Sequence, residues 1–181
     1  MPPSPQTLSV DDRRVAAVWA ADCAEHVLAI YENVVPGDPR VRAAIDQTRS
    51  FSVGDLDVGA AVRRRGGDAG EAARHAPTPA AKAAAYAAEQ AAAVAHMGAH
   101  ALGAAGYAAK ASILDACDDN VVARSEAHRQ VVEMTDEVAR VLSSLPALGE
   151  NRSGPLGPGR LSLGHVGDTI REIQRLLTKP K

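Results

Sequence analysis

Apolar positions along this chain recur at the three-to-four spacing of an α-helix, and nowhere alternate every second residue as a half-buried strand requires. From Val10 to about Val34 the apolar set is Val15, Val18, Trp19, Cys23, Val27, Ile30 and Val34. Ser9 stands before it as an N-cap, with Asp11 and Asp12 in the first turn, where the helix dipole favours anions. Pro36-Gly37 stops this helix. Asp38-Pro39 opens the next, Asp as cap and Pro at the first helical position, and it runs to about Phe51. A third helix is expected over Ser52 to Arg65, with Asp55 near its start. The Gly-rich stretch GGDAGEAARHAPT reads as a connection holding at most one weak helical turn. Thr78-Pro79 repeats the cap-then-proline signal and opens an Ala-rich helix from Ala80 to about Ala116. Gly98, Gly103 and Gly106 each weaken it by about 1 kcal/mol relative to Ala, and each permits a bend or a very close neighbour. Asp118-Asp119-Asn120 marks a boundary. Val121 to about Leu145 forms a further amphipathic helix, GENRSGPLGPGR is a linker, and Leu161 to Leu177 is the last helix.

The expected class is all-α: a single-domain bundle of about five or six helices around a long Ala-rich central helix. Residues 1–8 read as a flexible N-terminal arm, 9–145 as the bundle, 146–160 as a Gly/Pro linker and 161–181 as a C-terminal helix and tail. Composition sharpens this picture. Of 181 residues 46% are hydrophobic but only 3% aromatic, so Ala, Val and Leu must fill the interior and helices can approach closely. The net charge of -2 gives no reason to expect nucleic acid or an anionic membrane as partner. Arg63-Arg64-Arg65 is the only dense basic run, too short for a phosphate track. Two cysteines, Cys23 and Cys117, make no disulfide framework. The N-terminus lacks the basic-then-apolar order of a signal peptide, and no apolar run approaches the roughly 20 residues of a membrane span. These signs favour a soluble, cytoplasmic protein with reduced thiols.

Two segments carry chemistry out of keeping with their surroundings. In AHMGAHALGAAGYAAK, His96, His100, Gly103, Tyr107 and Lys110 share one helical stripe, while the other faces are apolar. A helix so apolar all round is buried, so the stripe should face the interior or a cleft. In WAADCAEH, Trp19, Asp22, Cys23 and His26 fall on the face that continues into Ile30 and Val34. A buried carboxylate and imidazole are costly unless paired, and Asp22 and His26, four apart, can reach one another. Three readings stay open. The cluster fixes helix register as a hydrogen-bonded polar core. Alternatively, His96 and His100 hold a divalent transition metal, with Asp22 or His26 as a further ligand. The third reading is a small-ligand pocket or acid/base centre. There His26 or His100 moves protons, Asp22 orients the imidazole, Tyr107 and Lys110 donate to an anion or carbonyl, and Trp19 is a flat wall. Cys23 lies one turn from His26 and is either a nucleophile or simple packing. Cys117, before two acids, is disfavoured as a thiolate. His75 and His128 read as surface residues.

WAADCAEHVL, then DPRVRAAIDQTRSF after a Pro-containing turn, then AHMGAHALGAAGYAAKA, resembles the bacterial Imm-5-like putative immunity proteins over residues 14 to about 145. The resemblance implies an all-helical cytoplasmic protein and the binding and neutralising of a toxin. The chain departs from the pattern in GGDAGEAARHA and from residue 146 onward. High Ala and Arg content suggests an actinobacterial source, where such domains also serve secondary metabolism.

Two functions follow. One is an immunity or self-protection protein that binds a protein toxin or a small cytotoxic compound, with Trp19, Cys23, His96, Tyr107 and Lys110 contacting it. The other is a small cofactorless or metal-assisted enzyme using Asp22, His26 and His100 as its catalytic groups. No complete catalytic motif is present, which favours the first. A homodimer is compatible with either.

Overall fold

The computed structural model describes residues 4–64, 67–117 and 120–178. Arg65 and the Asp118-Asp119 boundary lie outside the described residues. The elements are α1 (Val10–His26), α2 (Leu28–Glu32), α3 (Arg40–Ser52), α4 (Val58–Arg64), α5 (Gly67–His75), α6 (Pro79–Ala93), α7 (His100–Asp115), α8 (Asn120–Val132), α9 (Asp136–Ser143), a 3-10 turn (Arg160–Ser162) and α10 (Gly164–Leu177). No strand occurs among the described residues. The chain is an all-α single domain, with more and shorter helices than the apolar pattern suggests.

The start signals act as their chemistry requires. Ser9 accepts from the Asp12 amide and Thr78 from the Ala81 amide, each filling an orphan donor of a first turn. Asp38 accepts from the Arg40 amide at 3.0 Å, with Pro39 between them. Its carboxylate also takes the Arg40 guanidinium, and the buried Tyr31 hydroxyl donates to it at 2.7 Å. These bonds, the Arg40 ones above all, hold the Asp38 carboxyl well below the usual carboxylate range. Burial and the Asp38 contact push the Tyr31 phenol up to about 12.

Several expectations need correction: the helices expected over Val10–Val34 and Val121–Leu145 are each two, and the one expected from Ser52 begins only at Val58. GGDAGEAARHAPT is not a mere connection: it carries the nine-residue helix α5, which buries Ala69, Gly70, Ala72 and Ala73. A face made of Ala and Gly leaves almost no trace in a pattern of large apolar residues. The long central helix is also two helices. The segment Val94–Ala99 breaks it, so α6 and α7 run antiparallel. The N-terminal segment satisfies the polar backbone of this corner. Arg13, 9% exposed, donates to the Ala95 carbonyl and, at 3.4 Å, to that of His96, placing a cation at the end of α6. The Gly98 and Ala99 amides, at the start of α7, donate at 3.0 Å to the carbonyls of Thr7 and Gln6.

The described part of the N-terminal arm is therefore docked. Gln6, 1% exposed, also donates to the Ser153 carbonyl at 2.8 Å and accepts from the Leu156 amide at 2.9 Å. This bond pair ties the arm to the loop after α9.

The α6–α7 hairpin is the centre of the domain. Helix α6 buries nine alanines, on every side but one. Helices α3 and α5 cover α6, α8 and α10 cover α7, and α1 lies across both. Close approach is possible because the facing residues are small. At Gly106 an added Cβ would sit 2.8 Å from Val166 Cγ1 and 3.0 Å from the Val166 carbonyl oxygen, so α10 rests directly on this glycine. Among the described residues no helix is long and apolar enough to cross a membrane.

Candidate functional site

The uncovered side of the hairpin opens a groove of about 560 Å³, within the size range of small-molecule sites. Tyr86, Glu89 and Gln90 line it from α6, and His100 and Tyr107 from α7. His96 and Met97 close it at the corner. The opposite wall is the tail: Gly154 and Pro155, then Arg160 and Leu161. A second hollow of about 540 Å³ continues the groove toward the far end of the hairpin and shares Tyr86, Tyr107 and Arg160 with it. Lys82 and Lys110 line this extension, with no carboxylate among the described residues.

Each polar group has a defined setting. The Tyr86 and Tyr107 rings lie 5.2 Å apart between centroids, at 38°, in the range where tilted aromatic pairs attract. Burial, with Tyr86 adding to it and Arg160 opposing it, raises the Tyr107 phenol, which stays a neutral donor near neutral pH. Gln90 Oε1 lies 2.8 Å from His100 Nδ1. With the amide oxygen as acceptor, Nδ1 carries the proton. Burial pushes the Glu89 carboxyl above its usual range, against the pull of Arg74 and Arg160. Room for that carboxylate comes from Gly70 of α5, where a Cβ would lie 2.6 Å from Glu89 Oε1.

The structure gathers some of the residues singled out in the sequence and disperses others. His96, His100 and Tyr107 line the groove and Lys110 its extension. His96 and His100 do not share a helical turn, however: His96 sits in the break and His100 begins α7. Trp19 and Cys23 are core residues, each 3% exposed. Trp19 Nε1 donates to the Gln130 carbonyl at 3.0 Å, and burial pushes the Cys23 thiol far up, away from a nucleophilic thiolate.

Asp22 and His26 are elsewhere. Asp22 is half exposed and meets Arg49 of α3 at 3.0 Å, with Glu25 on the same guanidinium. His26 lies 3.9 Å from Glu126 of α8. The core face of α1 is its alanine face, Ala16, Ala17, Ala20, Ala21 and Ala24, and it turns Asp22 and His26 to the rim. The acid/base set of Asp22, His26 and His100 is thus not assembled, nor is a metal set of His96 and His100 with Asp22 or His26. Among the described residues no three or more His, Cys, Asp or Glu side chains cluster to hold a metal.

Sequence reasoning missed Tyr86, Glu89, Gln90 and Arg160. The first three had a signal. In PAAKAAAYAAEQAAA the polar residues are Lys82, Tyr86, Glu89 and Gln90, one helical stripe on an otherwise alanine helix. Arg160 had none, because a Gly/Pro-rich linker has no period to read.

Architecture and site together define an all-helical bundle with a polar groove between its central hairpin and its C-terminal tail. Residues 6–137 match the family described as Imm-5 like putative immunity protein, and the chain belongs to that family. No curated protein and no solved structure matches it. The hairpin side of the groove falls inside the matched residues. The tail wall, including Arg160, falls outside them.

Proposed function

We propose that this chain is an immunity protein that acts by binding, and that the hairpin groove is its recognition site. The observation carrying this reading is the groove itself. It is the place where this alanine-rich bundle collects aromatic, imidazole, amide and carboxyl groups on one open surface. Glu89 supports a binding role, since an ionised carboxylate held half-buried costs stability without serving the core. Family membership supplies the immunity context.

The experiment is co-expression of the chain with candidate toxins, any found encoded near its gene first, scored by survival. Wild type should protect, and Gln90→Leu, with folding checked by circular dichroism, should not. Full protection by a folded Gln90→Leu variant, together with a folded Tyr107→Ala variant, would overturn the assignment of the groove. An acid/base enzyme is the second reading, favoured by Glu89 with two imidazoles in one groove. It requires protection at far below one chain per toxin molecule and a mass change in the toxin, whereas a binder saturates at stoichiometry.

A further inference from the structure

We infer that the Lys82–Lys110–Arg160 end of the groove is an oxyanion subsite, and that the ligand is a small organic anion. Its carboxylate or phosphate would sit among the three cations, and its apolar or aromatic body would lie against the Tyr86–Tyr107 pair. This rests on the groove being the recognition site and names the ligand class it takes.

The register of the hairpin carries the argument. Tyr86 packs on Tyr107, and Gln90 abuts Gly103. The same antiparallel register sets Lys82 opposite Ala111, one residue from Lys110. Two ammonium groups therefore face one hollow, and Arg160 reaches it from the tail. None of the three makes a salt bridge among the described residues, Arg160 acting on the Glu89 carboxyl of the neighbouring groove only at longer range, and among the described residues no carboxylate lines the hollow. Elsewhere this chain pairs its arginines freely, as Arg40 with Asp38, Arg42 with Glu32 and Arg129 with Glu126 show. Like charges gathered around one hollow repel, and a bound anion offsets that repulsion.

The partner class follows from size and shape. A hollow of about 540 Å³ continuous with one of about 560 Å³ suits a small molecule, and two tyrosine rings offer a flat apolar floor. Glu89 stands at the other end of the groove and disfavours a second negative charge there. The ligand is therefore anionic at one end only.

The test is calorimetric titration of the full chain with benzoate, phenyl phosphate, neutral benzamide and inorganic phosphate. Benzoate or phenyl phosphate should bind, benzamide about tenfold or more weaker, and the binding should weaken with added salt. Preference between the two aromatic anions identifies the carboxylate or the phosphate. Inorganic phosphate should bind more weakly than phenyl phosphate, for lack of a body on the tyrosines. Lys82→Ala/Lys110→Ala and Arg160→Ala should each cost about tenfold in affinity, and the lysine pair variant should leave the unliganded melting temperature equal or higher. Arg42→Ala, which removes the same charge from α3, should bind as wild type does.

Equal binding of benzamide and benzoate, unchanged binding in the lysine pair variant, or no binding of either aromatic anion would overturn the subsite. Its failure is separable from failure of the groove. If the anions do not bind but Gln90→Leu still abolishes protection, the groove stands and the subsite falls.

Discussion

Two glycines of α7, three residues apart, should respond oppositely to the same substitution. Alanine in a helix interior is favoured over glycine by about 1 kcal/mol, so either change would stabilise an isolated helix. At Gly106 the new Cβ would lie 2.8 Å from Val166 Cγ1 and 3.0 Å from the Val166 carbonyl oxygen, and the second of these is backbone. Ordinary contact begins near 3.4 Å, so α10 must move by some tenths of an ångström. Overpacking of this kind costs about 1–3 kcal/mol. The packing cost wins, and Gly106→Ala should lose about 1 kcal/mol net. At Gly103 the Cβ would meet Gln90 Oε1 at 2.5 Å and Leu161 Cδ1 at 3.0 Å. Both are side-chain tips that can swing away, at the expense of the Gln90–His100 hydrogen bond, about 1 kcal/mol. Gly103→Ala should come out near zero. Urea unfolding with a slope of about 2 kcal/mol per molar would separate the two variants by about 0.5 M in midpoint. A Gly106→Ala protein more stable than wild type would show that α10 does not rest on α7 at the limit of contact. A Gly103→Ala protein less stable than Gly106→Ala would refute the distinction between backbone and side-chain neighbours.

Gln6→Ala leaves the buried Leu156 amide without an acceptor, which should cost about 2 kcal/mol and speed proteolytic cutting between residues 146 and 160; an unchanged cutting pattern would contradict the latch. Glu89→Gln should raise the melting temperature at about pH 8. The folded carboxyl holds its proton above the unfolded value, so ionisation costs stability at high pH and that cost vanishes as pH falls; the two proteins should therefore converge near about pH 4, and equal melting at both pH values would be evidence against the raised carboxyl. Tyr31→Phe removes the hydroxyl that donates to Asp38 at 2.7 Å and should cost about 1.5 kcal/mol by urea unfolding at neutral pH. Because the Asp38 carboxyl is held low, that site contributes stability above the unfolded carboxylate range and loses it only as strong acid is approached. Under native conditions a maleimide should label the exposed Cys117 and spare Cys23, and equal labelling would mean that α1 opens readily.

Local chemistry was legible in the sequence. The caps at Ser9, Asp38 and Thr78 act within three residues and sit where those residues sit. The all-α class follows from a period that persists along most of the chain. Long-range pairing was not legible. The stripe through Trp19, Asp22, Cys23 and His26 is real geometry on α1, but the packing of its alanine face on α6 and α7 decides which of its members face outward. The helix break between His96 and His100 depends on Arg13 and on the carbonyls of Gln6 and Thr7, some 80 to 90 residues away in sequence. Alanine hid the rest. Because alanine is a strong helix former and a weak burial signal, α5 looked like a linker, and the centre of the domain looked like its blandest part.

The bond from Leu156 to Gln6 joins positions 150 apart in sequence. Contacts of that span form late, after the local helices, because the loop they close is long. The α6–α7 hairpin is held by contacts between neighbours in sequence, whereas the wall bearing Pro155, Arg160 and Leu161 is tied down through this long-range bond. The tail wall of the groove is therefore a property of the finished molecule: a chain with its helices formed but its two ends unjoined would lack it.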